Sequence, residues 1–336
     1  MRRLSEPELP ALAGLVGAFS RAEVVVVGDF VADEYVYGET ERISREAPVL
    51  IVRYESSELK PGGAGNAAQN LAALGVKVRA VGAVGDDALG AALLDTLEEA
   101  GVDVGGILRV TGRPTEAKTR ILAGGRSTRR QQMIRLDRAP TAPLPPLVER
   151  KLVKTLERLG SRADAILASD YGSGTVGPAA IEALRRVTRR GIPVCVDSRY
   201  NLRGFTGLTM VKPNEVELET ASGVSLEGKG GLERAARTLQ RKVDCEVLLV
   251  TRGRNGMSVF RRGLAPVHVP AHGSQDAVDV TGAGDTVAAT FCAGLAAGGD
   301  AVSAARLANV AGALVVQKPG TATVSRAELE AELLRP

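Results

Sequence analysis

Residues 279–290 read DVTGAGDTVAAT. Two acids, Asp279 and Asp285, bracket a run of small residues, and a nearly uncharged apolar stretch follows. Gly282, Ala283 and Gly284 permit close backbone approach and unusual φ/ψ. Between Ala283 and Ala296 only Asp285 is charged, so a helix over 283–296 is expected to be buried. A helix N-terminus presents unpaired N–H groups and a partial positive charge. Asp285 therefore has two readings. It caps those N–H groups, or it stands beside a site that binds an anion. The stretch alone leaves both open.

Strand and helix patterns alternate on either side of it. AEVVVVGDF (22–30) reads as a buried parallel strand. PGGAGNAAQNLAALG (61–75) is a Gly-rich turn leading into a small-residue helix, KVRAVGAVG (77–85) a strand, and ALGAALLDTLEEAG (88–101) a helix with a Gly stop. Residues 104–137 break the rhythm. ILRVT and AKTRILAGGRSTRRQQMIRLD predict polar strands around a Gly-Gly turn, which with residues 31–59 would form a small separate sheet. Alternation then resumes from 163 to 253, through strands at 163–170, 193–198, 208–214 and 246–253. A hairpin is expected over 255–270, a second small-residue helix near 301–315, and a capping box at Ser325 and Glu328. This alternation predicts one domain over 1–336, with a mostly parallel sheet covered by helices on both faces. Ligands of such sheets bind at the carboxyl ends of the strands. Gly28-Asp29, Ser169-Asp170, Asp197 and Thr251-Arg252-Gly253 fall there.

Composition narrows the function classes. With no Trp and 3% aromatic residues, the core must be built from Ala, Val and Leu, and stacking platforms for single-stranded nucleic acid are not expected. No run of about 18 apolar residues predicts a membrane span. The N-terminal MRRLSEPELPALAGLVGAF reads as a leading helix rather than a signal peptide. Cys195, Cys245 and Cys292 lie far apart among apolar neighbours, which predicts buried free thiols and a reducing, cytoplasmic setting. His268 and His272 show no metal-ligand pattern. Net charge is +4, yet nine Lys/Arg against two Asp/Glu fall between Arg109 and Arg138. That excess is either a solvated basic surface or a face that meets an anionic substrate.

Two nucleotide motifs need weighing. Gly63-Ala64-Gly65-Asn66-Ala67-Ala68 fits the dinucleotide fingerprint G-x-G-x-x-A, with Asp86 further on. Glu58, Lys60 and Pro61 precede it where a buried strand should, and it would leave 279–285 unexplained. A P-loop is absent. Gly282–Gly284 ahead of a helix is another device for holding phosphate. A hydroxyl attacking a γ-phosphate needs positioning, charge neutralisation and a proton acceptor, and Asp285 can supply the last.

These residues also carry a family likeness. DVTGAGDT resembles the C-terminal signature of ribokinase-like (PfkB-type) sugar kinases, PGGAGNAAQNLAALG their N-terminal signature, and PNEVE their Asn-x-x-Glu pair. The features occur in family order, and the likeness runs from about residue 23 to 325. The resemblance implies an α/β, ribokinase-like three-layer sandwich with a mostly parallel sheet and a small β-sheet lid, and a reaction that uses ATP and Mg²⁺. It implies that Asp285 takes the proton of a sugar hydroxyl, and that the N–H groups of Gly282, Ala283 and Gly284 form an anion hole. Asn214 and Glu217 would organise water-bound Mg²⁺ and phosphate; their plain reading is helix capping and surface charge. Thr251, Gly253 and Gly256 would line the nucleotide site, with Asn309 beside the adenosine; their plain reading is a turn and a polar helix position. Asp279 and Thr281 match positions that help bind a monovalent cation such as K⁺. Asp33, Gly62, Gly63 and Asn66 would hold sugar hydroxyls. The lid, drawn from about 31–59 and 104–137, would double as a homodimer interface.

Within that family the likeness narrows. GDFVADEYVYGETERISREAPVLIV (28–52), RQQMIRLD (130–137), ASDYGSG (168–174) and KPGTATVS (318–325) resemble the kinases that convert D-glycero-D-manno-heptose 7-phosphate to the 1,7-bisphosphate in lipopolysaccharide precursor synthesis. Lys118, Arg120 and Arg135 would then face the phosphate of the sugar-phosphate substrate; their plain reading is an exposed basic strand face. Three motifs depart from the pattern. Asp-Tyr-x-Lys-Gly is Asp170-Tyr171-Gly172-Ser173-Gly174, without the Lys; Asp-Pro-Lys is Asp197-Ser198-Arg199; Ser-Pro-Glu-Ala-Pro is Ser44-Arg45-Glu46-Ala47-Pro48. They lie near the expected substrate region and leave other sugars open, among them ribose, fructose and a fructose phosphate. A non-catalytic sugar- or nucleotide-binding regulator is the alternative of a different class, and it would have no need of Asp285, Asn214 and Glu217. The heptose enzyme is often fused to a nucleotidyltransferase. This sequence ends soon after the kinase segment, so a separate protein is expected to supply that step.

Overall fold

The computed structural model of the chain describes residues 9–125, 130–273 and 277–335. Helix α1 (Leu9–Ala18) leads into β1 (Glu23–Gly28), whose four valines face two cores in turn. Val24 and Val26 join one apolar cluster, Val25 and Val27 the other. This two-sided burial is what a central parallel strand requires. Next come β2 (Phe30–Ile43), β3 (Leu50–Gly63), α2 (Ala64–Ala73), β4 (Lys77–Gly85), α3 (Ala88–Glu99), β5 (Val102–Val110), β6 (Ala117–Gly124) and β7 (Gln131–Arg138). The chain continues through α4 (Pro146–Gly160), β8 (Ala165–Asp170), α5 (Pro178–Thr188), β9 (Val194–Ser198), β10 (Met210–Val211), α6 (Glu215–Ser222) and α7 (Gly231–Val243). It closes with β11 (Val247–Thr251), the hairpin β12 (Met257–Arg261) and β13 (Val267–Val269), then α8 (Ala283–Ala296), α9 (Ala301–Val315) and α10 (Arg326–Leu333).

The large sheet has nine strands in the order β13-β12-β11-β10-β9-β8-β1-β4-β5. Every pair from β5 to β11 is parallel, and the β12–β13 hairpin adds two antiparallel strands at one edge. One core cluster draws on α1, α2, α3, α8, α9 and α10, the other on α4, α5, α6 and α7. The sandwich is thus three layers, with a core dominated by Ala, Val and Leu. Small residues let α8 and α9 approach closely: a Cβ at Gly294 would lie 2.8 Å from that of Ala304. The capping box expected at Ser325 and Glu328 starts α10. All three cysteines are buried and free. No described helix is long and apolar enough to cross a membrane.

The smaller sheet has four strands in the order β3-β2-β6-β7. It is the lid, with one correction to its expected extent. Residues 104–110 belong to β5, which pairs parallel with β4 in the large sheet. Val102, Ile107 and Val110 are buried there, so their apolar side chains place this segment in the core rather than the lid. The register puts Asp33 beside Lys118, Tyr35 beside Arg120, and Arg120 beside Arg135. Side chains alternate along a strand, so these polar residues share one face. Thr119, Ile121, Ile134 and Leu136 share the other.

Candidate active site

The site forms where β1, β8, β9, β10 and β11 end, as strand-end chemistry in an open α/β sheet requires. At the head of α8, Gly282 is the N-cap residue with φ 77°, and no side chain caps the helix. Asp285 is therefore not an N-cap. Its carboxylate is buried and directed at two other elements: Asn66 Nδ2 donates to Oδ2 at 2.7 Å, and the Tyr171 hydroxyl donates to Oδ1 at 2.8 Å. Burial, and then the negative charge of Asp197, push its pKa up to about 6, against the pull of Asn66, Tyr171 and Lys212.

Lys212 follows β10, is 4% exposed, and meets Asp197 at 3.0 Å. Burial disfavours its charge, but the contact with Asp197 outweighs that, and the ammonium's pKa lies above its ordinary value. Burial raises the Asp197 carboxyl in turn, with Lys212 opposing. Lys212 Nζ lies 3.5 Å from where a Cβ on Gly284 would be, so a buried cation stands against the start of α8. Asp29, at the end of β1, accepts backbone N–H groups from Tyr171, Ser173 and Thr175.

The remaining predicted residues fall into three groups. Asp33 is buried and paired with Arg120 at 2.7 Å. Gly62 and Gly63 end β3 beside them. A Cβ on Gly62 would overlap the Asp33 carboxylate, and one on Gly63, where φ is 57°, would lie 2.6 Å from the Asp29 carbonyl. Only glycine admits the chain there. Lys118 places its ammonium 5.2 Å from the Tyr171 ring centre. Arg135 stays on the exposed edge strand and pairs with Asp137 at 2.8 Å.

Asn214 and Glu217 form a capping box at α6: Asn214 Oδ1 accepts from the Glu217 N–H and Glu217 Oε2 from the Asn214 N–H. The plain capping reading therefore holds for both. Oε1 of Glu217 has no part in the cap. Among the described residues no group of three or more His, Cys, Asp or Glu could hold a metal. Magnesium commonly takes one or two carboxylates with waters and phosphates, so one spare carboxylate oxygen fits that ion. Thr251 bridges to Asn214 at the end of β11, and Gly253 and Gly256, with φ 51° and 78°, make the turn into β12. Asn309, on α9, donates to the Pro270 carbonyl at 2.8 Å. Asp279 accepts the N–H groups of Thr281 and Gly320, each at 2.9 Å. Burial works against its charge, but these hydrogen bonds outweigh it and hold the carboxyl below its ordinary value. An ionised carboxylate there suits a monovalent cation.

Two expectations change. The N–H of Ala283 donates to the Val280 carbonyl at 3.2 Å, because the turn that puts Gly282 in the left-handed region closes on it; it is not free for an anion. Asn66 directs its amide to Asp285 and its Oδ1 accepts from Asn70 at 3.1 Å, so its side chain serves the carboxylate first. Sequence reasoning passed over Tyr171 and Lys212. A lone Lys directly after an apolar strand, in LTMVKPN, was a signal for the second; Tyr171 stood in the Asp-Tyr-x-Lys-Gly match, but only the fold brings it to Asp285.

A sequence profile described as pfkB family carbohydrate kinase matches residues 21–328. The chain belongs to this family. It is a carbohydrate kinase, a phosphotransferase with a sugar hydroxyl as acceptor. Curated relatives include the "Bifunctional protein HldE" of Geobacter sulfurreducens, 40% identical over 99% of this chain and 66% of that protein. The same-named protein of Pelobacter propionicus is 41% identical over 92% of this chain and 62% of that protein. The chain thus spans somewhat less than two thirds of the length of these relatives. Solved structures with this fold include Arabidopsis thaliana ribokinase complexed with ribose and ATP, with a TM-score of 0.73 at 21% identity, over 94% of this chain and 99% of that one. Escherichia coli phosphofructokinase-2 in complex with potassium has a TM-score of 0.74 at 19% identity, over 94% of this chain and all of that one.

Proposed function

We propose that this kinase transfers the γ-phosphate of ATP to C1 of D-glycero-D-manno-heptose 7-phosphate, with Asp285 as general base. The observation that carries the chemistry is the buried Asp285 carboxylate at the head of α8, with Lys212 beside Gly284. A carboxylate whose pKa is pushed up to about 6 is ionised at neutral pH and matched to accepting a hydroxyl proton there. Lys212 and the N–H groups of Gly282 and Gly284 offset the charge that develops on the phosphoryl oxygens. Glu217 and Asn214 are assigned to a hydrated Mg²⁺, which supplies charge neutralisation to the nucleotide phosphates when bound. Thr251, Gly253, Gly256 and Asn309 are assigned to the nucleotide, and Asp279 with Thr281 to a cation such as K⁺.

The substrate assignment rests on the lid. Asp33, Gly62 and Gly63 border the sugar site, and Lys118 and Arg120 supply the charge to hold a phosphate. Arg135 lies one strand further out and is assigned to the rim. Ser173 and Arg199 stand where the heptose kinases have other residues, which keeps a different sugar phosphate as the second reading. Ile134 at 49% and Leu136 at 55% exposure lie on the lid's other face; a second copy of the chain is the proposed cover. Free buried thiols suit a cytoplasmic enzyme.

The test is ATP turnover with a panel of sugars and sugar phosphates, followed by NMR of the product. Turnover specific to heptose 7-phosphate, with new phosphate at C1, is expected. Turnover of another sugar moves the substrate and leaves the mechanism standing.

A further inference from the structure

Tyr171 is a half-buried residue to which the mechanism above gives no task. Its place is set from several sides. The Asp29 carboxylate accepts the N–H groups of Tyr171, Ser173 and Thr175 at 2.8, 3.1 and 3.1 Å, which pins the loop after β8. Asp170 accepts the Gly172 N–H at 3.1 Å and the Ser198 hydroxyl at 2.6 Å, tying the same loop to β9. The ring lies against Gly63, whose Cβ position is 3.4 Å from Cδ2, and faces the Lys118 ammonium. The result is a hydroxyl held 2.8 Å from Asp285 Oδ1. On the other side Asn66 holds Oδ2 at 2.7 Å, and its own Oδ1 accepts from Asn70 Nδ2 at 3.1 Å.

We infer that Tyr171 is a positioning residue for phosphoryl transfer: its phenol fixes the plane of the Asp285 carboxylate, favours its ionised form, and leaves a lone pair on Oδ1 for the acceptor hydroxyl. The inference rests on Asp285 being the general base. A carboxylate offers about four lone-pair sites, so one donor on each oxygen leaves room for the acceptor. The charged and titratable groups around Asp285 are Asp197 from β9, Lys212 after β10 and Tyr171 after β8. Of these, Asp197 raises its pKa, and Lys212 and Tyr171 lower it. Tyr171 itself stays protonated. Burial, followed by the charge of Asp285, holds the phenol well above its ordinary pKa, so it donates at every working pH.

Tyr171→Phe removes the hydroxyl and keeps the ring. Loss of a hydrogen bond to the charged carboxylate should move the acid limb of kcat/KM to higher pH by about one to two units. On the plateau kcat should fall about tenfold, with KM nearly unchanged. A merely structural role would not move the limb. A second readout needs no turnover: ¹³C-carboxyl aspartate NMR of the wild type and Tyr171→Phe, with Asp285→Asn to identify the signal, should show the same shift of midpoint. An unmoved limb and midpoint in an active enzyme overturn this inference alone. A lower KM with undiminished kcat also overturns it, because the phenol would then compete with the acceptor. A wild type that phosphorylates none of the sugars sinks the general-base reading and this inference with it, whatever the NMR shows of the contact.

Discussion

Asp285→Asn should remove a pH-dependent cost that the folded protein carries. The carboxyl's pKa is pushed to about 6 by burial and by Asp197, against an ordinary value of 3.8. Between those two values the unfolded chain gives up its proton first, so rising pH favours the unfolded state. Above about pH 6 the cost is complete. At 1.36 kcal/mol per pKa unit it comes to about 3 kcal/mol at pH 8, and to about 1 kcal/mol at pH 4.5. The amide escapes this cost but accepts through one oxygen only. Asn66 and the Tyr171 hydroxyl donate to different oxygens and cannot both keep donating, a loss of about 1–3 kcal/mol that does not depend on pH. The stability of the variant relative to wild type should therefore improve by about 2 kcal/mol between pH 4.5 and pH 8. With an unfolding entropy of about 0.7 kcal/mol/K for a chain of this length, calorimetry should show the difference in Tm shifting by about 3 °C. An equal gap at both pH values, or a larger advantage at pH 4.5, would refute the argument. The same variant should lose about 10²–10⁴-fold in kcat, as removal of a positioned general base does.

Further outcomes follow from the surrounding contacts. Lys212→Met should destabilise the protein by about 3 kcal/mol by leaving the half-buried Asp197 carboxylate unpaired, and adding Asp197→Asn should recover much of that; urea unfolding of the two variants checks it. Arg120→Ala breaks the 2.7 Å pair with Asp33 and should raise KM for a phosphorylated sugar at least tenfold, with a smaller effect on kcat, in steady-state assays. Gly256→Ala places a Cβ against the Val269 carbonyl at φ 78° and should cost about 2 kcal/mol or more, together with nucleotide affinity, by thermal shift and calorimetric titration. If the outer lid face is a dimer interface, Ile134→Asp with Leu136→Asp should give monomers by light scattering with the fold intact.

Much of the fold was legible because local pattern and tertiary demand agree. Four valines ending in Gly28-Asp29 declare a strand buried on both sides, and the small residues of 283–296 declare a helix that neighbours approach closely. The strand at 102–110 misled because its composition, with Gly105, Gly106 and Arg109, reads as polar. Its assignment to the large sheet follows from the burial of Val102, Ile107 and Val110, which depends on what packs against them.

The site divides in the same way. The small residues before a nearly uncharged helix singled out Asp285, Gly282 and Gly284 without a structure, and the family resemblance added Asn214 and Glu217. Neither could say where Asp285 points. Its hydrogen-bond partners, Asn66 and Tyr171, lie 219 and 114 residues away. Buried Lys212 and half-buried Asp197 become an ion pair only because β9 and β10 are parallel neighbours. The sequence by itself determined the family, the sheet and the identity of the acid at the head of α8. Tertiary structure decided its electrostatic surroundings, because charges and hydrogen bonds act through space and fall off with distance, whatever the separation along the chain.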